Sequence, residues 1–386
     1  MVAKKETKSE KKHVHKGLDT YETETTKDIE QRTLQIAKDI VDQIKGNRSP
    51  TFTTKVRGLS NVYFDDEKQY IQLGDKKVVR PFLNLGAARK FMQTMLINDK
   101  CNEYLKEGKT ASIREIYYEL KRTVANTKEN TFDGQNESDE VIVDVEHAAS
   151  TIREKLGLHA EAKGSLYGDI TLKDLKHDDD IFNCGSLGRG GWSIMSRIEP
   201  EEVEIVDVNA DMVLVIETAA MYNRLIEEKF AKQHNAILIG TGGQAARGAR
   251  RLVHRLRYEY DLPVIVFTDG DPYGWYIYSV IKSGSMALAA HSKYMAVPDA
   301  KYVGMTITDV ETYGLSNVTE KMKDGDIKRA KELMNYPWFK SKEWQSELKI
   351  AIDKKIRIEQ QALANKSLDF VARKYLPEKI EKEIFL

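Results

Sequence analysis

Met212-Val-Leu-Val-Ile216-Glu217 and Pro263-Val-Ile-Val-Phe-Thr268-Asp269-Gly270-Asp271-Pro272 are two unbroken apolar runs that each end in acid. A run apolar on both faces is what a strand inside a parallel sheet requires, because helices cover both sides of it. From Val203 onward such runs alternate with helical spacing. Strands are expected near Met212 to Ile216, Ala236 to Gly240, Val264 to Thr268 and Tyr294 to Val297. Helices are expected over Met221 to Gln233, Ala246 to Glu259 and Tyr273 to Ser283. That order gives an α/β fold with a parallel sheet, whose ligands sit at the carboxyl ends of the strands. Glu217, Asp269 and Asp271 fall at those ends, and Gly270 keeps the turn small enough for both aspartates to approach one ion. Carboxylate oxygens are hard ligands suited to Mg²⁺ and phosphoryl chemistry. Alone, Asp-Gly-Asp-Pro reads as a surface turn; the acid at a second strand end tips the reading toward a metal.

The rest of the chain is read around that sheet. Its 386 residues allow two or three domains, and 60 basic against 60 acidic residues leave net charge silent about nucleic acid or membrane. Cys101 and Cys184 lack a Cys-x-x-Cys or a neighbouring histidine pair, which disfavours disulfides and zinc and suits buried thiols in a reducing compartment. Met1 to Lys16 is lysine-rich without an apolar stretch, so residues 1–20 read as a disordered basic arm and not a signal peptide. No stretch is apolar for long enough to span a membrane, and a soluble, cytoplasmic protein is expected. Helical spacing runs from Thr25 to Lys45 and again from Ala87 to Leu105. Short strands lie between Asn61 and Phe82 with Gly74-Asp75 as their hairpin turn, and Asn126 to Glu140 reads as a mobile loop before a helix over Val141 to Leu156. The glycines from Gly164 to Gly191 suggest a connecting β region, and the tail from Gly325 reads as helices closing with Glu359 to Tyr375. The expected divisions are 21–75, 76–160, 161–205 and 206–386.

Ser112-Ile-Arg-Glu115 is a capping box, so a helix starts near Ile113. Projected at helical pitch, Ile113, Ile116, Tyr117, Leu120 and Val124 share one stripe, and Arg114, Tyr118, Lys121 and Arg122 share another. Tyr117 should therefore fill core. Tyr118 should stand among cations, which stabilise a phenolate and attract a phosphodiester, although a tyrosine snorkelling on a solvated basic face looks the same in sequence.

Ser112 to Tyr118, Val215-Ile-Glu217 and Asp269-Gly-Asp-Pro-Tyr-Gly274 together resemble the catalytic-tyrosine and Toprim metal motifs of the family of archaeal topoisomerase VI A subunits, which includes the meiotic double-strand-break protein. The likeness runs over nearly the whole chain after the arm, including Lys282-Ser-Gly-Ser285 and Asp309 to Leu315. It implies a winged-helix domain of the catabolite-activator type, carrying Tyr118 as the nucleophile of a 5′-phosphotyrosyl link, followed by a Toprim domain. It implies Mg²⁺ on Glu217, Asp269 and Asp271, with Arg114 as a phosphate contact. It also implies a homodimer in which each tyrosine works with the partner's metal, on double-stranded DNA near the nucleoid. ATP hydrolysis would then belong to a B subunit within a heterotetramer, since no ATPase signature is present.

Two other readings compete. Gly240-Thr-Gly242-Gly-Gln-Ala245 satisfies a Gly-x-Gly-x-x-Ala dinucleotide fingerprint between strand and helix, with Asp269 as a ribose acid, which would make an NAD-dependent oxidoreductase. The helix after it carries Arg247, Arg250, Arg251, His254 and Arg255, a density that suits contacts to DNA phosphates beside Lys121 and Arg122, or a solvated basic face. Some relatives carry lysine and proline-aspartate where this chain has Gly243 and Ala245-Ala246. The third reading is a non-catalytic DNA-binding assembly subunit. His147, His234 and His254 lie singly and read as core or surface residues.

Overall fold

A computed structural model of the chain describes residues 24–386, and the arm expected over residues 1–20 lies outside them. Two large hydrophobic cores organise these residues. The first gathers Ile29, Ile97, Cys101, Ile116, Tyr117, Phe132, Val145 and Leu158; the second is built on the sheet and extends to Leu376.

The N-terminal body opens with helix Thr26–Lys45, capped by reciprocal Thr25 and Asp28 bonds, and crosses helix Leu85–Glu107. Strand Thr51–Lys55 pairs antiparallel with Lys77–Pro81, and Val62–Asp65 pairs with Tyr70–Leu73. Gly74-Asp75 is therefore not the hairpin turn; that turn is formed around Asp65, whose carboxylate accepts from the Glu67 and Lys68 N–H groups. Gly74 instead follows the hairpin, its N–H bonded to the Asn61 carbonyl. The loop expected up to Glu140 is shorter, because helix Gln135–Ala148 begins inside it and stops before the expected Leu156. Helix Ile113–Leu120 also ends before Val124, where the Thr131 hydroxyl donates to the Leu120 carbonyl and accepts from the Arg122 N–H.

The second body holds a six-stranded sheet in the order Trp192–Ser193, Ser165–Tyr167, Ala236–Gly240, Met212–Ile216, Val264–Phe267, Lys301–Gly304. The last four run parallel, and every residue of Met212–Ile216, Ala236–Gly240 and Val264–Phe267 is buried. Continuous apolar runs therefore form the two-sided layer anticipated from them. Two strands of the 161–205 stretch extend this sheet, while Ile170–Asp174, Asp180–Asn183 and Val203–Val208 form a separate antiparallel sheet.

Three elements differ from expectation. The edge strand is Lys301–Gly304; Tyr294 to Val297 is buried but lies at and beyond the end of a 3-10 segment. Residues 221–233 form two helices, because Lys229 takes a left-handed conformation between them. Glu359 to Tyr375 is not one helix but 3-10 and π turns followed by helix Leu376–Glu381. What fixes this tail is buried polar chemistry. Asp309 accepts from Lys379 Nζ at 2.8 and 2.9 Å and from the Tyr375 hydroxyl at 2.5 Å, all out of water. Among the described residues, no helix is long and apolar enough to cross a membrane.

Candidate functional site

Helix Ile113–Leu120 starts where the sequence places it. Ser112 Oγ accepts from the Glu115 N–H at 3.1 Å and Glu115 Oε2 accepts from the Ser112 N–H at 2.6 Å. Those bonds hold the Glu115 carboxyl below its ordinary range. A cap worth about 1 kcal/mol matters in a helix of two turns, because it fixes which face points inward. Tyr117 is buried and Tyr118 is 60% exposed, with their rings 5.0 Å apart. The Arg114 guanidinium lies 6.0 Å from the Tyr118 ring. Lys121 is turned the other way: its ammonium donates to the Tyr117 hydroxyl at 2.9 Å. Arg122 is exposed just past the helix end. Of the cations expected around Tyr118, Arg114 is the one whose contact reaches its ring.

The acids meet at the ends of adjacent strands. The Asp269 N–H donates to Glu217 Oε2 at 2.9 Å, joining the two strand ends directly. Asp271 caps helix Pro272–Ser283, its Oδ1 accepting from the Tyr273 and Gly274 N–H groups at 2.9 and 2.8 Å. Its Oδ2 faces Arg357 at 3.4 Å. Two glycines make the turn possible: a Cβ on Gly270 would stand 2.7 Å from Ile358, and one on Gly274 would stand 2.3 Å from the Asp269 carbonyl.

Burial, reinforced by the neighbouring Asp269, lifts the Glu217 carboxyl to about 7, and burial lifts Asp269 to about 6 against the Gln360 N–H that partly restrains it. Asp271 is raised by burial too, though the two helix N–H groups oppose the rise. Among the described residues, no group of three His, Cys, Asp or Glu side chains is already drawn together as a metal cluster, and Glu217 Oε1 and Asp269 Oδ2 accept no hydrogen bond from the chain. Hard, crowded carboxylates with spare oxygens, whose charge is opposed by desolvation and by one another, have the donor chemistry a divalent cation needs.

Sequence reasoning missed the segment that braces these acids. Residues 356–360 return alongside Asp269–Asp271, with Gly270 and Ile358 exchanging backbone bonds at 2.7 and 3.2 Å. The Gln360 N–H donates to Asp269 Oδ1 at 2.8 Å, its Oε1 accepts from the Thr218 hydroxyl at 2.9 Å, and its Nε2 donates to the Phe267 carbonyl at 3.0 Å. One fully buried side chain thus ties both acid-bearing strand ends. Glu359 lies close enough to raise both Glu217 and Asp269. No local motif announces this; a polar Arg-Ile-Glu-Gln inside an expected helical tail was the available signal.

The arginine helix is a correction. Arg247, Arg250 and Arg251 are 7, 5 and 5% exposed, so the face expected to meet DNA phosphates is turned into the protein. Arg247 grips Glu146 of the N-terminal body at 2.5 and 3.1 Å, and Arg251 donates three bonds to Glu199. Arg250 lies beside Arg247, and burial pushes its guanidinium down to about 10. Placing cations beside buried carboxylates repays their desolvation, which an open basic face would not require. The glycine-rich turn likewise serves packing: a Cβ on Gly240 would stand 2.8 Å from the Tyr222 ring, and the Gly243 N–H donates to the Glu217 carbonyl.

Residues 89–158, which contain Tyr118, match the family described as Type IIB DNA topoisomerase. Residues 212–380, which contain the three acids, match the Toprim domain shared by Spo11 and the A subunit of topoisomerase 6. These are the two halves of one class of DNA enzyme. The chain is 52% identical to the A subunit of type 2 DNA topoisomerase 6 from Pyrococcus horikoshii, over 90% of this chain and 92% of that protein. It is 38% identical to the protein of that name from Sulfurisphaera tokodaii over 91 and 94%, and 32% identical to that of Haloarcula marismortui over 95 and 99%. The chain belongs to the family of type 2 DNA topoisomerase 6 A subunits. That membership overturns the dinucleotide-dependent oxidoreductase reading.

Proposed function

We propose that the chain is the DNA-cleaving subunit of a type IIB topoisomerase, with Tyr118 as its nucleophile. The observation that carries this reading is an exposed phenol beside Arg114, on a helix whose next tyrosine is buried, in a chain that also ends two adjacent strands in crowded carboxylates. The phenol oxygen attacks a backbone phosphorus and loses its proton; a P–O3′ bond breaks and the 3′-hydroxyl leaves with a proton. The resulting 5′-phosphotyrosyl ester keeps the bond energy for resealing. Arg114 faces the negative charge that grows on the phosphoryl oxygens.

Glu217, Asp269 and Asp271 would hold Mg²⁺, which when bound supplies Lewis-acid stabilisation of phosphoryl and leaving oxygens. Residues 76–160 would form a winged helix presenting Tyr118, with Lys121 and Arg122 reaching DNA phosphates, and residues 206–386 the Toprim domain. Tyr118 has its contacts within its own helix, and the acids have theirs between Glu217 and Gln360. That separation supports a homodimer in which each phenol meets the partner's carboxylates across a shared duplex. An ATPase B subunit would complete a heterotetramer, cytoplasmic and nucleoid-associated, that passes a second duplex through the break and thereby relaxes supercoils and unlinks circles.

The test is covalent capture of DNA on a denaturing gel with both subunits, Mg²⁺ and an ATP analogue. Tyr118→Phe should abolish capture while DNA binding persists, and Tyr117→Phe should chiefly lower stability. Equal capture by both variants would remove Tyr118 from its role, and undiminished DNA binding with no capture by the unaltered protein would favour the non-catalytic assembly subunit.

A further inference from the structure

A polar cavity lies where the two bodies meet, lined by neither Tyr118 nor the three acids. It encloses about 390 Å³, within the range of small-ligand pockets. Strand Thr51–Lys55 contributes Lys55, the hairpin turn after Asp65 contributes Lys68, helix Gln135–Ala148 and the turn after it contribute Glu146, His147 and Thr151, and the 3-10 segment Met286–Tyr294 contributes His291 and Lys293. The floor is built from polar atoms that lack partners. Both ring nitrogens of His147, His291 Nε2 and Thr151 Oγ1 are buried without a hydrogen bond inside the chain, and His291 and Thr151 are only 4 and 2% exposed. Leaving so many polar atoms unsatisfied in one place is costly unless something enters to meet them.

The charge around the cavity says what that occupant is. The two imidazole rings lie 5.6 Å apart, and three lysines surround them. Lys55 also reaches Asp75 at 3.1 Å and Lys293 lies over Tyr294. Among the residues lining the cavity the one carboxylate, Glu146, is spent on Arg247 and on the Arg153 N–H, and His291 Nε2 is 3.7 Å from it. No third ligand joins the histidines to make a cation site among the described residues. We propose that this cavity binds a phosphate group, with His147, His291 and Thr151 at its floor and Lys68 and Lys293 at its rim.

The charged groups facing His147 are His291, Glu146, Arg57 and Lys55, and those facing His291 are Glu146, Arg247, Glu154 and Arg250. Burial disfavours the protonated form of both rings, so an oxyanion between them should bind more tightly as pH falls and the rings take up protons.

The test is calorimetric titration of the full chain with inorganic phosphate at fixed ionic strength, with sodium chloride as control. Saturable binding is expected, weakened about tenfold or more by Lys68→Ala with Lys293→Ala and by His147→Asn. The lysine variants lie on the rim and should melt like the unaltered chain, so a folding defect cannot explain the loss. Sulfate, which does not titrate near neutrality, should bind more tightly at lower pH. Unchanged phosphate affinity in these variants, or heats no different from chloride, would overturn the proposal. A short duplex then identifies the source: displacement of phosphate marks a DNA backbone phosphate, and simultaneous binding marks a free phosphate-bearing molecule.

Discussion

Two adjacent tyrosines receive opposite fates from one helical step, and the chemistry assigned to Tyr118 depends on that step. Arg114 is the residue beside it that could stabilise charge on a phosphoryl group, so Arg114→Ala should slow covalent capture about a hundredfold while changing duplex affinity little; an unchanged capture rate would exclude that role. The acids make a pH prediction. Glu217 titrates near 7 in the folded chain and far lower when unfolded, so the metal-free fold binds this proton more tightly. Its contribution is fully present below the ordinary carboxylate range and is lost as pH rises through about 7. Added Mg²⁺ should relieve that loss, so the melting-temperature gain from Mg²⁺ over chelator should grow across this window and should flatten in Glu217→Gln. A gain independent of pH would contradict it. At this scale the sequence was readable where chemistry is local: a capping box and an acid after an apolar run need no distant partner. It was unreadable at Arg247 and Arg251, whose partners Glu146 and Glu199 are remote in the chain. Helical projection finds a basic face but not what covers it. Because Arg251 is buried on Glu199, Arg251→Gln should lower the melting temperature without altering the salt dependence of DNA binding, whereas Arg122→Ala should reduce the salt slope by about one. The reverse pattern would restore the arginine helix to the DNA surface.

Among the elements, the strands that carry acid are held from behind by a segment that no periodicity revealed. Gln360 bonds Thr218 and Phe267 through its side chain while its backbone holds Asp269, so it positions the acids without touching substrate. Gln360→Ala should raise the Mg²⁺ concentration needed for half-maximal cleavage about tenfold, since groups behind a metal ligand tune affinity by such factors, and Gln360→Glu should not rescue it because the Phe267 carbonyl still lacks a donor. A shift in thermal stability alone, with Mg²⁺ dependence unchanged, would reduce Gln360 to packing. The parallel strands were legible because burial on both faces writes an apolar run into sequence. The edge strand was expected too early because Tyr294 and Met295 are buried for another reason, against Ile152 of the N-terminal body, while Val297 joins the sheet's core without being a strand. The tail was misread as helix because its helical spacing hides short turns pinned by Asp309, Tyr375 and Lys379.

At the scale of the molecule, two cores are joined by the Glu146–Arg247 pair, which is almost wholly out of water. Removing one partner leaves a buried charge unmatched, so Arg247→Ala should cost about 3–5 kcal/mol in chemical denaturation, part of it recovered when Glu146→Gln is added. No recovery would mean that the arginine packs and does not pair. The larger consequence of two bodies is that Tyr118 and the carboxylates reside on different ones, and the proposed cleavage has them meet between protomers. The direct measurement is covalent capture by mixed dimers, isolated through two affinity tags. A Tyr118→Phe protomer paired with a Glu217→Ala protomer retains one complete site, the tyrosine of one beside the acids of the other, and should nick one strand with protein attached. A protomer carrying both substitutions, paired with an unaltered one, should capture nothing. Nicking by the second mixture and silence from the first would place both groups within one protomer and contradict the account.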